Sequence, residues 1–265
     1  DYIFGGTGKG QPIPEPILPI VAITTTAGTG TEADPWAVIT HEERQEKIGF
    51  GNDDTFPVLS IVDPEMMLSI PPTLTAYQGF DAFFHAAEGY IAKIATPISD
   101  TYALKSIELL TKYLPLAIQQ GDNLEARTQV ALANTLSGMV ETTSACTSEH
   151  SLEHALSARH PELPHGAGLI MLSNAYFEFF SNVCPERFDA MAKAMNAPDF
   201  LTGLKTMQDA CGVAGLKMSD YGITQQEIPD IVANARATMA ALFRFDRHKL
   251  TDEEITGILK RSIAS

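Results

Sequence analysis

Side chains that could bind a metal ion are concentrated between residues 81 and 165. Five of the seven histidines lie in this interval. Asp81 and His85 are four residues apart on a predicted helix, so both project from one face about one turn apart and can reach the same ion. Taken alone this spacing is common, and a pair of surface side chains is the simpler interpretation.

A second pair and a further histidine strengthen the case for a metal site. His150 and His154 share a helix face, and His165 stands at a turn that opens the next predicted helix. The pair is not a metalloprotease HExxH motif, because Ser151 occupies the position of the catalytic glutamate. Buried neutral imidazoles carry a desolvation cost that shared coordination offsets. Several such groups on separate helices therefore favour a metal site in the core of a helical bundle.

The elements that carry these residues change in character near residue 70. Before it, β-branched apolar runs alternate with turn residues and predict strands at Ile17–Thr26, Trp36–Thr40 and Val58–Val62. After Pro71–Pro72, apolar residues recur at spacings of three and four and predict helices. The predicted helices are Leu74–Ala92, Ser99–Gln119, Leu124–Thr143, His150–Leu156, Gly168–Phe180, Pro185–Met195, Leu201–Ala210, Gln226–Leu242 and Asp252–Ile263. We expect a mainly α protein, with residues 1–70 as the strand-bearing remnant of an α/β domain and residues 71–265 as an all-helical metal-binding domain.

Composition limits the classes of partner. The chain carries 33 acidic and 18 basic residues, for a net charge of −15. A surface this negative repels nucleic acid and anionic lipid, so neither is an expected partner. No apolar run approaches the roughly 20 residues needed to span a bilayer. We expect a homo-oligomer, with a dimer favoured.

The cysteines and the first residue bear on location. Cys146, Cys184 and Cys211 are odd in number, widely spaced and free of any CxxC motif. This pattern favours reduced thiols and a cytoplasmic protein. The chain begins at Asp1 without methionine, which suggests that it is part of a longer protein.

Four segments, in order, resemble the iron-containing (group III) alcohol dehydrogenase family, whose members include lactaldehyde reductases and butanol dehydrogenases. Thr24–Glu32 resembles the family's TTAGTGSE loop, and Ile61–Glu65 with the following prolines resembles its DPxL…PP element. Gly79–Tyr90 resembles the GxDAxxHAxE segment, and Glu149–Gly168 resembles the histidine segment. Together the four are far more specific than any one of them, and they identify the chain as similar to the C-terminal two thirds of a family member.

The resemblance implies a role for each matching residue. The family's four metal ligands fall on Asp81, His85, His150 and His165, and the companion histidine near the nicotinamide falls on His154. The cofactor-binding positions fall on Thr25, Thr26, Thr29, Lys47 and Leu74. From spacing alone His154 would count as a fifth ligand. The other histidines, which match nothing in the family and are expected on the surface or in loops, are His41, His160 and His248.

The resemblance also implies a fold and an activity. The expected fold is that of the dehydroquinate synthase-like family, and the expected activity is hydride transfer between a small alcohol or aldehyde and NAD or NADP. The expected ion is Fe²⁺, with Zn²⁺ as the alternative. The family's GGGS-type phosphate loop is missing from these 265 residues, so the chain alone is expected to be inactive or nearly so. The rival interpretations are a non-catalytic metal-binding helical module and, with less support, a metal-dependent hydrolase.

Overall fold

Helices dominate the protein, which we describe from a computed structural model covering residues 1–14 and 16–264. Within these ranges the nine α-helices all follow residue 70. They are α1 Pro72–Ile91, α2 Pro97–Gln119, α3 Leu124–Thr143, α4 Ser148–Arg159, α5 His165–Ser181, α6 Pro185–Ala194, α7 Phe200–Ala210, α8 Ile228–Thr238 and α9 Asp252–Ala264. The predicted mainly α class is confirmed. The predicted helix boundaries agree with the structure to within about one turn.

Two small sheets precede the helices in the described residues. Their strands are β1 Val21–Ile23, β2 Ala37–His41, β3 Glu46–Phe50 and β4 Leu59–Ile61. β1 pairs in parallel with β4, and β2 pairs antiparallel with β3. The sequence does not predict β3, because Lys47 and Gly49 interrupt any β-branched run there. β3 nevertheless forms, with Ile48 as its one buried residue.

Helix α1 is the central helix of the bundle and packs against α2, α3 and α5. Every residue from Gly79 to Ile91 is buried. Phe84 stacks on Phe177 with ring centroids 5.8 Å apart, and Phe83 stacks on Phe200 at 6.2 Å. A helix that is buried all round belongs in the interior of a protein. The polar side chains of α1 are therefore held inside the bundle, where they need partners.

Cys146, Cys184 and Cys211 are buried, and all three are free. Among the residues that the structure describes, no helix has both the length and the apolar character needed to cross a bilayer.

Candidate metal centre

Four predicted metal ligands meet where α1, α4 and α5 come together. Asp81 and His85 lie one turn apart on α1. His150 lies in the first turn of α4, and His165 is the first residue of α5. The sequence-based placement of His165 at a helix start is therefore correct. Side chains from three helices thus reach a common point.

Glycines let α5 begin this close to its neighbours. A Cβ built on Gly166 would lie 2.1 Å from the backbone oxygen of Tyr77 on α1. A Cβ on Gly168 would lie 2.8 Å from Glu153 Oε1 on α4. A larger residue at position 166 would push α5 away from the α1 backbone, and one at position 168 would displace the Glu153 side chain. The Pro-His-Gly-Ala-Gly segment therefore holds His165 against both α1 and α4.

One carboxylate oxygen lies close to all three imidazoles. Asp81 Oδ1 is 3.3 Å from His85 Nε2, 3.6 Å from His150 Nε2 and 3.3 Å from His165 Nε2. Two ligands about 2.0–2.1 Å from a tetrahedral ion are about 3.3 Å from each other, so these spacings suit a shared ion. Asp81 Oδ1 and His150 Nε2 are buried and have no hydrogen-bond partner among the described residues. Both the residue types and the orphaned atoms fit a divalent cation.

The other ring nitrogen of each imidazole faces a glutamate. The pairs are His85 Nδ1 with Glu141 at 3.0 Å, His150 Nδ1 with Glu88, and His165 Nδ1 with Glu153. A carboxylate only accepts hydrogen bonds, so it favours the tautomer with the proton on Nδ1 and the lone pair on Nε2. That tautomer is the one able to bind a metal through Nε2.

Charge explains how so many ionisable groups can be buried together. Burial tends to raise the pKa of Asp81, but attraction to His85 and His165 holds that pKa well below its usual value. Burial tends to lower the pKa of His165, but Glu153 and Asp81 raise it above its usual value. The carboxylates therefore require positive charge beside them. Protonated imidazoles supply it in the metal-free chain, and a bound cation would supply it instead.

His154 lies beside this group, with its ring centroid 5.3 Å from that of His165 and 6.3 Å from that of His150. Burial, followed by the positive charges of Lys47 and His165, lowers the pKa of His154 well below its usual value. Its buried Nδ1 has no hydrogen-bond partner in the described part of the chain. The shift favours the neutral imidazole, which has a lone pair on one ring nitrogen.

Geometry alone allows more than one set of ligands. Among the described residues, three sets of side chains each offer atoms within 4.8 Å of one another: Asp81, His150 and His165; Glu153, His154 and His165; and His85, Cys146 and His150. Of these sets, the first is arranged around an oxygen that a third imidazole, that of His85, also faces. His85 approaches this set through Asp81 Oδ1, although it belongs to a different set by the 4.8 Å distance.

Lys47 reaches the same region from β3. Its Nζ donates a hydrogen bond to Ser157 Oγ at 2.8 Å and lies 3.4 Å from both Glu153 Oε2 and His165 Nδ1. The Lys47 side chain is 14% exposed. A residue predicted to bind the cofactor thus contacts the Nδ1 side of a predicted metal ligand.

The other predicted cofactor residues are accessible. Thr25 and Thr29 are exposed and Thr26 is half-buried, all in the loop that follows β1. Leu74, in the first turn of α1, is 39% exposed. A ligand can therefore reach these side chains without rearrangement of the bundle.

The histidines without a match lie elsewhere. His160 Nε2 is 3.0 Å from Glu227 Oε1, and His248 Nε2 is 2.9 Å from Glu254 Oε1. His41 is exposed at the end of β2. His41 faces solvent, His248 pairs with a glutamate at the surface, and His160 is half-buried at the end of α4, where Glu227 is its partner.

Two family models match the chain. The model for the C-terminal part of the Fe-containing alcohol dehydrogenase family matches residues 75–263, and the model for iron-containing alcohol dehydrogenase matches residues 1–64. Both matched ranges agree with the positions of the family motifs in the sequence. The two matches together cover nearly the whole chain.

Individual relatives agree with these matches. The chain is 30% identical over 233 residues to the NAD-dependent methanol dehydrogenase of Bacillus methanolicus, covering 84% of this chain and 61% of that protein. It is 35% identical over 221 residues to the 1,3-propanediol dehydrogenase of Klebsiella pneumoniae, covering 81% of this chain and 56% of that protein. The chain thus spans less than two thirds of the length of these relatives.

A solved structure extends the likeness to the fold. The crystal structure of the archaeal halo-thermophilic Red Sea brine pool alcohol dehydrogenase ADH/D1, bound to NZQ, superposes with a TM-score of 0.94 at 32% identity. The superposition covers 98% of this chain and 68% of that one. The family matches, the sequence relatives and this structure agree, and the chain belongs to the iron-containing alcohol dehydrogenase family.

Proposed function

We propose that this chain carries the metal centre of an alcohol dehydrogenase that transfers a hydride between a small alcohol or aldehyde and NAD or NADP. One observation carries the proposal: three imidazole nitrogens from three helices lie 3.3–3.6 Å from the buried Asp81 Oδ1. Family membership supplies the class of reaction. Small primary alcohols and diols are the substrates we propose, in line with the names of the methanol and 1,3-propanediol dehydrogenases.

The ion we propose is Fe²⁺, with Zn²⁺ as the alternative, because three imidazoles and one carboxylate suit both. Asp81, His85, His150 and His165 would hold it. When bound, the ion supplies Lewis-acid chemistry that makes an alcohol hydroxyl more acidic or polarises an aldehyde. The nicotinamide supplies the redox chemistry.

The protein's own groups hold the centre and move a proton. Asp81 contributes the negative charge of the ligand set, and the three histidines present Nε2 toward it. We propose His154 as the group that exchanges the alcohol proton. It is neutral, it adjoins two of the proposed ligands, and its Nδ1 has no partner among the described residues.

For the cofactor we propose the loop with Thr25, Thr26 and Thr29, together with Lys47 and Leu74. The exposure of the loop and of Leu74 supports this. Lys47, which the resemblance puts near the ribose and phosphates of the cofactor, lies next to His165, so a cofactor bound there would come close to the proposed ion.

We also propose that residues 1–70 belong to an α/β cofactor-binding domain. The parallel pair β1 and β4 leaves Val21 and Ile23 each 55% exposed and Leu59 54% exposed. Parallel strands normally have both faces covered. Cofactor binding would then need more than these 265 residues, and we propose that the chain alone has little activity.

Absorbance of reduced nicotinamide over a panel of alcohols and aldehydes tests the proposal. A full-length protein containing this chain should turn over, whereas the 265-residue chain should not. Metal binding without any turnover by the full-length protein would favour the non-catalytic module instead. Strong turnover by the chain alone would refute the proposed need for further residues.

A further inference from the structure

We infer that Glu88, Glu141 and Glu153 are positioning residues that set the affinity of the metal centre by holding its three imidazoles. The inference rests on the proposed function, in that it takes Asp81 and the three histidines as ligands. It goes beyond that function by assigning roles to three carboxylates outside the proposed ligand set.

Each of these glutamates faces Nδ1 of a different histidine: Glu88 and Glu153 form hydrogen bonds there, and Glu141 lies at 3.0 Å without the geometry of one. The side chains of Glu88 and Glu153 are fully buried, and that of Glu141 is 10% exposed. Burying one carboxylate costs several kcal/mol unless charge and hydrogen bonds compensate it. Three such carboxylates lie near one another, and each faces an imidazole on the side away from Asp81. This arrangement calls for a shared explanation. Holding three rings in the orientation that binds an ion supplies it.

Glu88 has the most firmly fixed position of the three. While Oε1 contacts His150, Oε2 accepts hydrogen bonds from the Thr147 backbone N–H at 2.7 Å and from Thr147 Oγ1 at 2.8 Å. Thr147 Oγ1 is in turn 2.8 Å from Tyr176 Oη. With both oxygens engaged, Glu88 cannot rotate away, so the His150 ring is held at a fixed angle.

Glu153 contacts both a proposed metal ligand, His165, and the ammonium group of Lys47. Its Oε2 contacts His165 Nδ1 and lies 3.4 Å from Lys47 Nζ. Gly168 leaves room for this carboxylate, since a Cβ there would lie 2.8 Å from Oε1. His165 is the most exposed of the three imidazoles, with 28% of its side chain accessible, so it depends most on an external contact for its orientation.

Glu141 is the least constrained. Its Oε1 lies 3.0 Å from His85 Nδ1 without the geometry of a hydrogen bond, and its Oε2 accepts a weak 3.7 Å hydrogen bond from Cys146 Sγ. His85 is also held by its stacking on His150, with ring centroids 4.6 Å apart. We therefore expect the loss of Glu141 to have the smallest effect of the three.

The test is the affinity for Zn²⁺ in three single variants, measured by competition with a chromogenic chelator. Removing a carboxylate of this kind lowers metal affinity about 10–100-fold. We expect a loss in this range for Glu88→Gln and Glu153→Gln, and a smaller one for Glu141→Gln. The Co²⁺-substituted proteins should also show altered ligand-field spectra, because the imidazole donors are changed. A residue that only stabilises the fold would leave that spectrum unmoved.

Glu149→Gln is the matched control. Glu149 is also fully buried and next to a proposed ligand, but neither of its carboxylate oxygens has a hydrogen-bond partner among the described residues. Its substitution should leave both the Zn²⁺ affinity and the Co²⁺ spectrum unchanged. The stability of each metal-free variant, from urea unfolding, separates weakened binding from misfolding. If Glu88→Gln does not fold, Glu153→Gln carries the test.

Different results would refute the positioning role of the glutamates and the proposed function. Folded glutamate variants that bind Zn²⁺ as tightly as the wild type would overturn the positioning role and leave the proposed ligands in place. A similar loss of affinity in Glu149→Gln would also overturn the positioning role, because the loss of any buried glutamate would then weaken Zn²⁺ binding. A wild-type protein that binds no divalent ion would instead remove the proposed function itself.

Discussion

Gly30 and Gly138 meet backbone to backbone: a Cβ built on Gly138 would lie 2.2 Å from the carbonyl oxygen of Gly30. The contact joins the loop after β1 to the middle of α3. It is reinforced by a hydrogen bond from Gly30 N to Asn134 Oδ1 at 3.1 Å. The loop that carries the proposed cofactor threonines is therefore positioned by the helical bundle.

This contact predicts that Gly138→Ala destabilises the protein. Alanine is intrinsically favoured over glycine in a helix by about 1 kcal/mol, but the clash with a backbone oxygen should outweigh that and cost about 1–3 kcal/mol net. Gly215→Ala is the control, because a Cβ there meets nothing within 4 Å. Urea unfolding of both variants gives the comparison. Equal stability of the two would contradict the predicted net cost of the clash with Gly30.

A second prediction concerns pH. Burial raises the pKa of Asp246 from 3.8 to about 7. Between these values the folded chain holds a proton that the unfolded chain has lost, so this group's contribution to stability falls as pH rises through about 7. Asp246→Asn cannot ionise, and its Oδ1 can still accept from the Ser148 backbone N–H. The variant should therefore gain stability relative to the wild type between about pH 4 and pH 8, on the order of 1–3 kcal/mol.

Urea unfolding at both pH values measures this gain. The exposed Asp209→Asn serves as the control and should show no such change between the two pH values. An unchanged difference between Asp246→Asn and the wild type would mean that Asp246 is ionised in the folded protein at both pH values.

The third prediction separates His154 from its neighbour on α4. If the full-length protein has the proposed activity, its His150→Ala variant should lose metal and nearly all turnover together. His154→Ala should keep its metal yet change the rate or its dependence on pH, because a proton-exchanging group has gone. If His154 only packs in the core, the alanine variant would lose thermal stability while its pH–rate profile stayed in place. Metal analysis and pH–rate curves of the two variants distinguish these cases.

The helices and the order of the predicted ligands could be derived from the sequence, whereas the partners of those ligands could not. Helical spacing would pair Glu88 with His85 and Glu153 with His150, each three residues apart. The fold instead pairs Glu88 with His150 and Glu153 with His165, on other helices. Local periodicity fixes which face a residue occupies but not which neighbouring helix that face meets.

The contacts of Glu141 and Lys47 could not be predicted from the sequence either. Glu141 lies in the last turn of α3, and no spacing relates it to His85. β3 lacks the apolar alternation of a typical strand, so its contact with α4 through Lys47 becomes visible only once the chain is folded. The family motifs narrowed the choice of ligands where spacing alone left His150 and His154 equivalent.

Metal content per chain tests the central claim, that Asp81, His85, His150 and His165 bind one divalent ion and His154 does not. Elemental analysis would compare the wild type, His165→Ala and His154→Ala, all purified without chelator, with His160→Ala, which lies outside the site beside Glu227, as the control. We predict about one equivalent of Fe or Zn in the wild type, in His154→Ala and in His160→Ala, and most of it lost in His165→Ala. Full metal in His165→Ala together with its loss in His154→Ala would contradict the account, because His154, and not His165, would then be a ligand.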